Sequence, residues 1–357
     1  MNIKQFINKA GWARLIIGIF LILLFVAAPF AGVSLASSFE NVLARFGMFS
    51  ILVLSLVPML QTGCGLNFGL PIGVVAGILG GVTSMEMGLK GFFGLFVAMV
   101  LGALIAVVFG YFYGKLLNKI IGDEMLISTY VGYFFTAFMC IAYLFLPYKN
   151  PVSVLSYGGS GLRQQIPVSD FWMINSQRPD GTRESVGLLS NFLSFSIFGV
   201  KIPVGMYLFF AILAFLVWGF FRTKQGTAMT AVGSNPIYAK ASGININKVR
   251  LQSVILSTVI AAIGIIVYQQ SYGFIQLYQA PLAFTFQTVA ALLIGGASIN
   301  STKLSHVIIG TFLFQGIITL TPTVINGLMA IDVSDIIRLI VTNGMIVFAL
   351  TRRIDND

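Results

Sequence analysis

Charge is scarce in this chain. Asp, Glu, Lys and Arg make up 9% of its 357 residues, histidine occurs once (His306), and cysteine twice (Cys64, Cys140). Each shortage excludes a class of function. Two cysteines in apolar or Gly-rich surroundings, with one distant histidine, give neither a disulfide framework nor a metal-ligand cluster. No G-x-x-x-x-G-K-[ST] phosphate loop occurs, so the chain has no machinery of that kind for ATP hydrolysis. Between 51 and 117 the only acid is Glu86, which leaves no buried carboxylate relay for a proton-coupled pump, and His306 has no acid near it in sequence to make one.

Apolar residues are abundant: 57% of the chain is hydrophobic and the mean hydropathy is +0.93. Apolar runs repeatedly reach or approach the roughly 20 residues that cross a bilayer core. Runs such as 15–25 are continuously apolar, unlike the alternating strands of an outer-membrane barrel. The expectation is an all-α polytopic membrane protein. The net charge of +10 does not point to nucleic acid, because the basic residues sit at span ends and in the loops of one side.

Ten spans are expected, near 12–31, 41–61, 62–81, 91–113, 125–146, 203–221, 251–270, 285–297, 305–320 and 336–350. The third, TGCGLNFGLPIGVVAGILGG, holds seven glycines, a proline and an asparagine. It reads as a short Gly-broken helix whose irregular backbone is buried in protein or lines a cavity, or as a helix using Gly-x-x-x-Gly for close packing. The eighth breaks at Gly295-Gly296. Short broken helices at corresponding places in two halves suggest an internal repeat around a midplane path. Gln61, Asn67 and Phe68 from the first half and Gln287, Ser298 and Asn300 from the second are the candidate path residues. Their amides and hydroxyls suit a neutral solute, and the alternative for each is hydrogen bonding between helices.

Two segments interrupt the apolar pattern. Residues 147–201, with YGGSG at 157–161 and RPDGTRE at 178–184, form the longest loop, expected outside the cell with short interfacial helices. Residues 222–250 lie within FRTKQGTAMTAVGSNPIYAKASGININKVR, which carries five basic residues (222, 224, 240, 248, 250) and no acid. Here 230–235 can turn, Asn235 can cap a short helix begun by Pro236, and Gly243 can close it. With this loop and both termini in the cytoplasm, inner segments carry a net charge of +9 and outer segments −1, as the positive-inside rule requires. Asp123 and Glu124 read as helix-start acids. Glu86 and Arg45 read as outer-end charges facing water, headgroups or a partner.

The pattern Gly226, Ala231-Val232-Gly233, Asn235-Pro236, Ala239, Gly243-Ile244 resembles the coupling segment of ABC importer permeases serving ribose and other simple sugars, nucleosides and branched-chain amino acids. ALLIGGASI (291–299) and LVPMLQTGCGLNFGLPIG (56–73) resemble further elements of that family, though Asn67 stands where many relatives carry an acid. The resemblance implies one transmembrane permease domain over 1–357 in the bacterial cytoplasmic (inner) membrane, with an extracytoplasmic insertion at 147–201 and a cytoplasmic coupling loop at 222–250. Gly226, Ala231, Gly233, Asn235, Pro236, Tyr238, Ala239, Lys240 and Gly243 would form the element seated in an ATPase. It further implies a second permease subunit, identical or paralogous, two ATPase domains that bind ATP and Mg, an external binding protein, and no cofactor in this chain. A nucleoside or simple sugar is the expected solute. A branched-chain amino acid or vitamin is the alternative, and a secondary transporter independent of an ATPase is the other class.

Overall fold

The computed structural model describes residues 12–120, 122–155, 161–177, 183–197, 199–298, 302–329 and 334–354. Its helices are α1 (Trp12–Ala27), α2 (Leu35–Leu54), α3 (Val57–Gln61), α4 (Leu70–Glu86), α5 (Gly91–Leu117) and α6 (Glu124–Phe145). After two single-turn helices, α7 (Ser169–Trp172) and α8 (Leu188–Asn191), come α9 (Val204–Phe221), α10 (Lys224–Ser234), α11 (Pro236–Ala241), α12 (Ile246–Tyr272), α13 (Ala280–Ile294), α14 (Leu304–Met329) and α15 (Ser334–Ile354). Six described spans are long and apolar enough to cross a membrane: α2 running into α3, then α5, α6, α9, α12 and α14. Three shorter apolar helices, Arg14–Ala27, Leu70–Glu86 and Ala280–Ile294, accompany them. The protein is an all-α, multi-pass membrane protein.

Close backbone packing organises the centre. Along α5, Gly94, Ala98, Gly102, Ala106, Gly110 and Gly114 are all buried. Their spacing of four puts them on one helix face, while Phe93, Phe96, Leu104 and Phe112 on other faces are exposed. This row meets α4 and α12. A Cβ on Gly102 would lie 3.2 Å from the Gly77 Cα, and one on Gly114 would lie 2.6 Å from a Leu251 methyl. On α4, a Cβ at Gly73 would come 2.7 Å from that of Ala261. Lipid tails are as apolar as leucine, so van der Waals contact between small residues, not hydrophobic exclusion, holds such helices together. For α4 itself the close-packing reading applies. The irregular backbone lies ahead of it, at 62–69, and Cys64 to Gly69 is buried in protein.

Segment 147–201 differs from expectation. It forms strands more than interfacial helices: β1 (Gln165–Pro167), β2 (Met173–Gln177), β3 (Arg183–Gly187), β4 (Phe195–Ile197) and β5 (Val200–Ile202). β2 pairs with β3 and β4 with β5. β1 pairs antiparallel with β6 (Phe274–Gln276), setting Ile166 opposite Ile275, and both side chains are fully buried. Trp172, also fully buried, sits over Gly81, where an added Cβ would lie 2.9 Å from the indole ring. Glu86 is not free to meet a partner, because its carboxylate accepts the Lys149 and Asn150 amides at 2.8 and 2.9 Å. The segment is therefore anchored to the bundle by a buried ring, a strand pair and a carboxylate.

Candidate functional site

The opposite end of α9 carries the basic segment, which is more helical than its sequence suggests. Thr223 caps α10 by accepting the Gly226 amide at 3.3 Å, and the helix runs on to Ser234. Residues 230–234, expected to turn, are its last turn. Asn235 closes α10 and opens α11, its Oδ1 accepting the Tyr238 amide at 3.0 Å. Pro236 follows as the first helical residue. Gly243, at φ 80°, ends the element, and the Ile244 amide returns to the Ala239 carbonyl at 3.0 Å.

Met229, Val232 and Ala239 form a small core with Val249. That leaves Ile237 84% and Tyr238 68% exposed at the tip, with Lys240, Asn235 and Pro236 exposed around them and Ala231 partly buried. Gly226 lets α10 fold back on α9, since a Cβ there would overlap the Phe220 carbonyl and the Phe221 backbone. Gly233 rests on α3. Its Cβ would overlap the Gln61 carbonyl oxygen, 2.9 Å from the carbonyl carbon and 3.0 Å from the Gly63 amide nitrogen. Gly63 and Gly65 hold φ of 71° and 75°, left-handed backbone that side chains disfavour, and they turn the chain out of α3.

The six candidate path residues occupy different places. Gln61 joins three segments: its Nε2 donates to the Thr302 carbonyl at 2.8 Å, and its Oε1 accepts from the Thr230 hydroxyl at 3.2 Å. Asn67 is fully buried among α4, α5 and α12. It donates to Ser257 Oγ at 2.9 Å and accepts from Tyr113 at 3.0 Å. Phe68 packs on Phe286, ring centroids 5.6 Å apart. Gln287 lines a cleft of about 600 Å³ between α13 and α15, with Phe286, Thr342 and Asn343 among its other walls. Ser298 follows the α13 break, where Gly296 holds φ 88°. Asn300 lies outside the described residues. Phe68 and Gln287 thus approach one cleft, Gln61 stands at the basic end, and Asn67 bonds within the bundle.

Sequence reasoning missed Thr342 and Asn343. Their adjacency inside an apolar span, three and four residues beyond Leu339, was the available signal. It also missed the partner of Glu124, whose carboxylate meets Arg250 at 2.6 Å with the two side chains 15% and 10% exposed. Its other oxygen accepts the Gly122 amide at 3.0 Å. The pair ties the start of α6 to the start of α12. Cys64 and Cys140 are free thiols, and no group of three or more His, Cys, Asp or Glu gathers among the described residues.

A multi-pass helical bundle with an exposed helical element at one end and a cleft lined by uncharged side chains between α13 and α15 is compatible with a transport permease. The chain belongs to the family described as branched-chain amino acid transport system / permease component, whose family model matches residues 38–350. It is 28% identical over 153 residues to the probable ABC transporter permease protein YphD of Escherichia coli (strain K12), covering 43% of this chain and 44% of that one. It is 29% identical over 164 residues to the D-allose transport system permease protein AlsC of the same organism, covering 45% and 47%. To the autoinducer 2 import system permease protein LsrC of Enterobacter sp. (strain 638) it is 29% identical over 123 residues, covering 34% and 35%. The matched stretch is less than half the length of each of these relatives. No solved structure matches the chain.

Proposed function

We propose that this chain is the membrane subunit of an ATP-driven importer in the bacterial cytoplasmic membrane, a conduit whose energy comes from a separate ATPase. The observation that carries the reading is the α10–α11 protrusion: a capped, self-cored element that offers Ile237 and Tyr238 beside Lys240 to the medium and rests its other side on α3. Exposed apolar and aromatic side chains on a rigid, basic element suit docking into a cleft of a peripheral protein. The element therefore lies in the cytoplasm with both termini, residues 147–201 lie outside, and the bundle makes ten crossings around an internal repeat. A second permease, identical or paralogous, and an external binding protein complete the assembly, and ATP and Mg belong to the ATPase.

The solute path runs by the α13–α15 cleft, where Phe286 offers a ring and Gln287, Thr342 and Asn343 offer uncharged hydrogen-bonding groups. Such a lining suits a small solute without net charge, because it exchanges hydrogen bonds without trapping the solute electrostatically. The family description favours a branched-chain amino acid over the nucleoside or simple sugar that the sequence resemblance put first. The test has two parts. Co-expression with the neighbouring ATPase should give a co-purifying complex that Ile237→Asp with Tyr238→Ala disrupts. A calorimetric screen of the associated binding protein against branched-chain amino acids, sugars, nucleosides and vitamins then names the solute. Undiminished uptake in vesicles lacking any ATPase would replace this reading with a secondary transporter.

A further inference from the structure

We propose that Gln61 is the positioning residue that carries movement of α10 to the α13–α14 side of the bundle, an inference that rests on the importer reading above. Its amide has two faces, each with a fixed partner. The Thr302 carbonyl can only accept, so the nitrogen faces it at 2.8 Å. The oxygen is thereby turned to Thr230, whose hydroxyl donates at 3.2 Å. These partners lie 241 and 169 residues from Gln61 along the chain, so one side chain bonds the protrusion and the approach to α14 together.

Both ends of this link are mechanically sensitive. The Thr230 hydroxyl has one proton and two acceptors at the same distance, Gln61 Oε1 and its own helix carbonyl at Gly226, both 3.2 Å away. A small tilt of α10 decides which of them it holds. Close by, the Gly233 backbone lies on the Gln61 carbonyl with no side chain between, so a push on α10 is delivered to the residue that bears the amide.

At the far end, Thr302 lies two residues ahead of α14, which starts at Leu304. α14 is locked to α13 by backbone contact: a Cβ on Gly295 would lie 2.8 Å from the His306 carbonyl carbon, and one on Gly310 would lie 2.7 Å from the Gly295 amide nitrogen. Whatever shifts Thr302 therefore shifts α13, whose Phe286 and Gln287 line the cleft. The two acceptors open to the Thr230 hydroxyl give the link two alternative hydrogen-bonded arrangements, the kind of two-state element on which coupling between sites rests.

Hydrogen–deuterium exchange of the permease co-purified with its ATPase tests this, using Mg-ATP with vanadate as the probe. In the wild type, trapping should change exchange in the α10 peptide and shift that at 302–310 by up to about fivefold, the factor that one intramolecular hydrogen bond sets. Gln61→Glu keeps an acceptor for Thr230 but offers the Thr302 carbonyl no proton. It should lose the response at 302–310 while α10 still responds. Thr230→Val should do the same from the other side, and Thr230→Ser should restore it. A wild-type response at 302–310 in both Gln61→Glu and Thr230→Val overturns the relay and leaves the importer reading standing. No response of α10 in the wild-type complex overturns both.

Discussion

Replacing Gly233 by alanine adds one methyl group where α10 crosses the end of α3. That methyl would overlap the Gln61 carbonyl oxygen and lie 2.9 Å from its carbon and 3.0 Å from the Gly63 nitrogen. Ordinary contact begins at about 3.5 Å, and every atom in the way is backbone, so no rotamer change relieves the overlap. The two segments must part by about an ångström or more to clear the Gln61 carbonyl oxygen, an overpacking cost of about 1–3 kcal/mol.

That cost falls where α10 is seated on the last residue of the α2–α3 span, away from the packed centre of the bundle, so yield in the membrane fraction should stay at the wild-type level. ATP-driven uptake in proteoliposomes should fall about tenfold or more, because each 1.4 kcal/mol is a factor of ten in the population of the seated form. A bulky pair at Gly233 and Asn235 should abolish it. Gly219→Ala is the control, since no atom lies within 4 Å of its would-be Cβ and alanine favours the helix. Wild-type uptake by Gly233→Ala in the same preparation would refute the reasoning.

Other substitutions probe the bundle. Glu124→Gln should cost about 3 kcal/mol or more by leaving Arg250 without its counter-charge in a mostly buried site, read as a lowered melting temperature in detergent that charge exchange at 124 and 250 partly restores. Gly80→Ala should depress folded yield, because its methyl would lie 2.5 Å from the Gly102 Cα and 2.7 Å from the Ala98 carbonyl oxygen, both backbone. Gly88→Ala, with no atom within 4 Å but φ 69°, should lower the yield less. Asn67→Asp should destabilise by about 1–3 kcal/mol. Ser257 already donates its proton to the Ser55 carbonyl at 2.6 Å and would face an oxygen with none to offer. An unchanged melting temperature in that variant would contradict the hydrogen-bond assignment.

The helices were legible in the sequence because their hydrogen bonds are local. Continuous apolar runs place α5, α6, α9 and α12 within a few residues of their observed ends, and Asn235-Pro236 marks the start of α11 by capping chemistry alone. The spacing of Gly94, Gly102 and Gly110 puts them on one helix face, and that face is buried. The extension of α10 through 230–234 was hidden by turn-prone Gly233-Ser234-Asn235, because the cap that sustains the helix, Thr223, stands a full helix length upstream.

Contacts between distant segments were not legible. A helix apolar on all sides carries little record of which face meets which neighbour, so nothing local pairs Asn67 with Ser257, Glu124 with Arg250, or β1 with β6. Gln61 and Asn67 have the same chemistry and lie six residues apart. Only the tertiary structure sets one at the foot of α10, between Thr230 and the Thr302 carbonyl, and closes the other inside three tightly packed helices. Chain composition decided that this protein lives in a membrane, and the meeting of helix faces decided which of its few polar groups are free to act there.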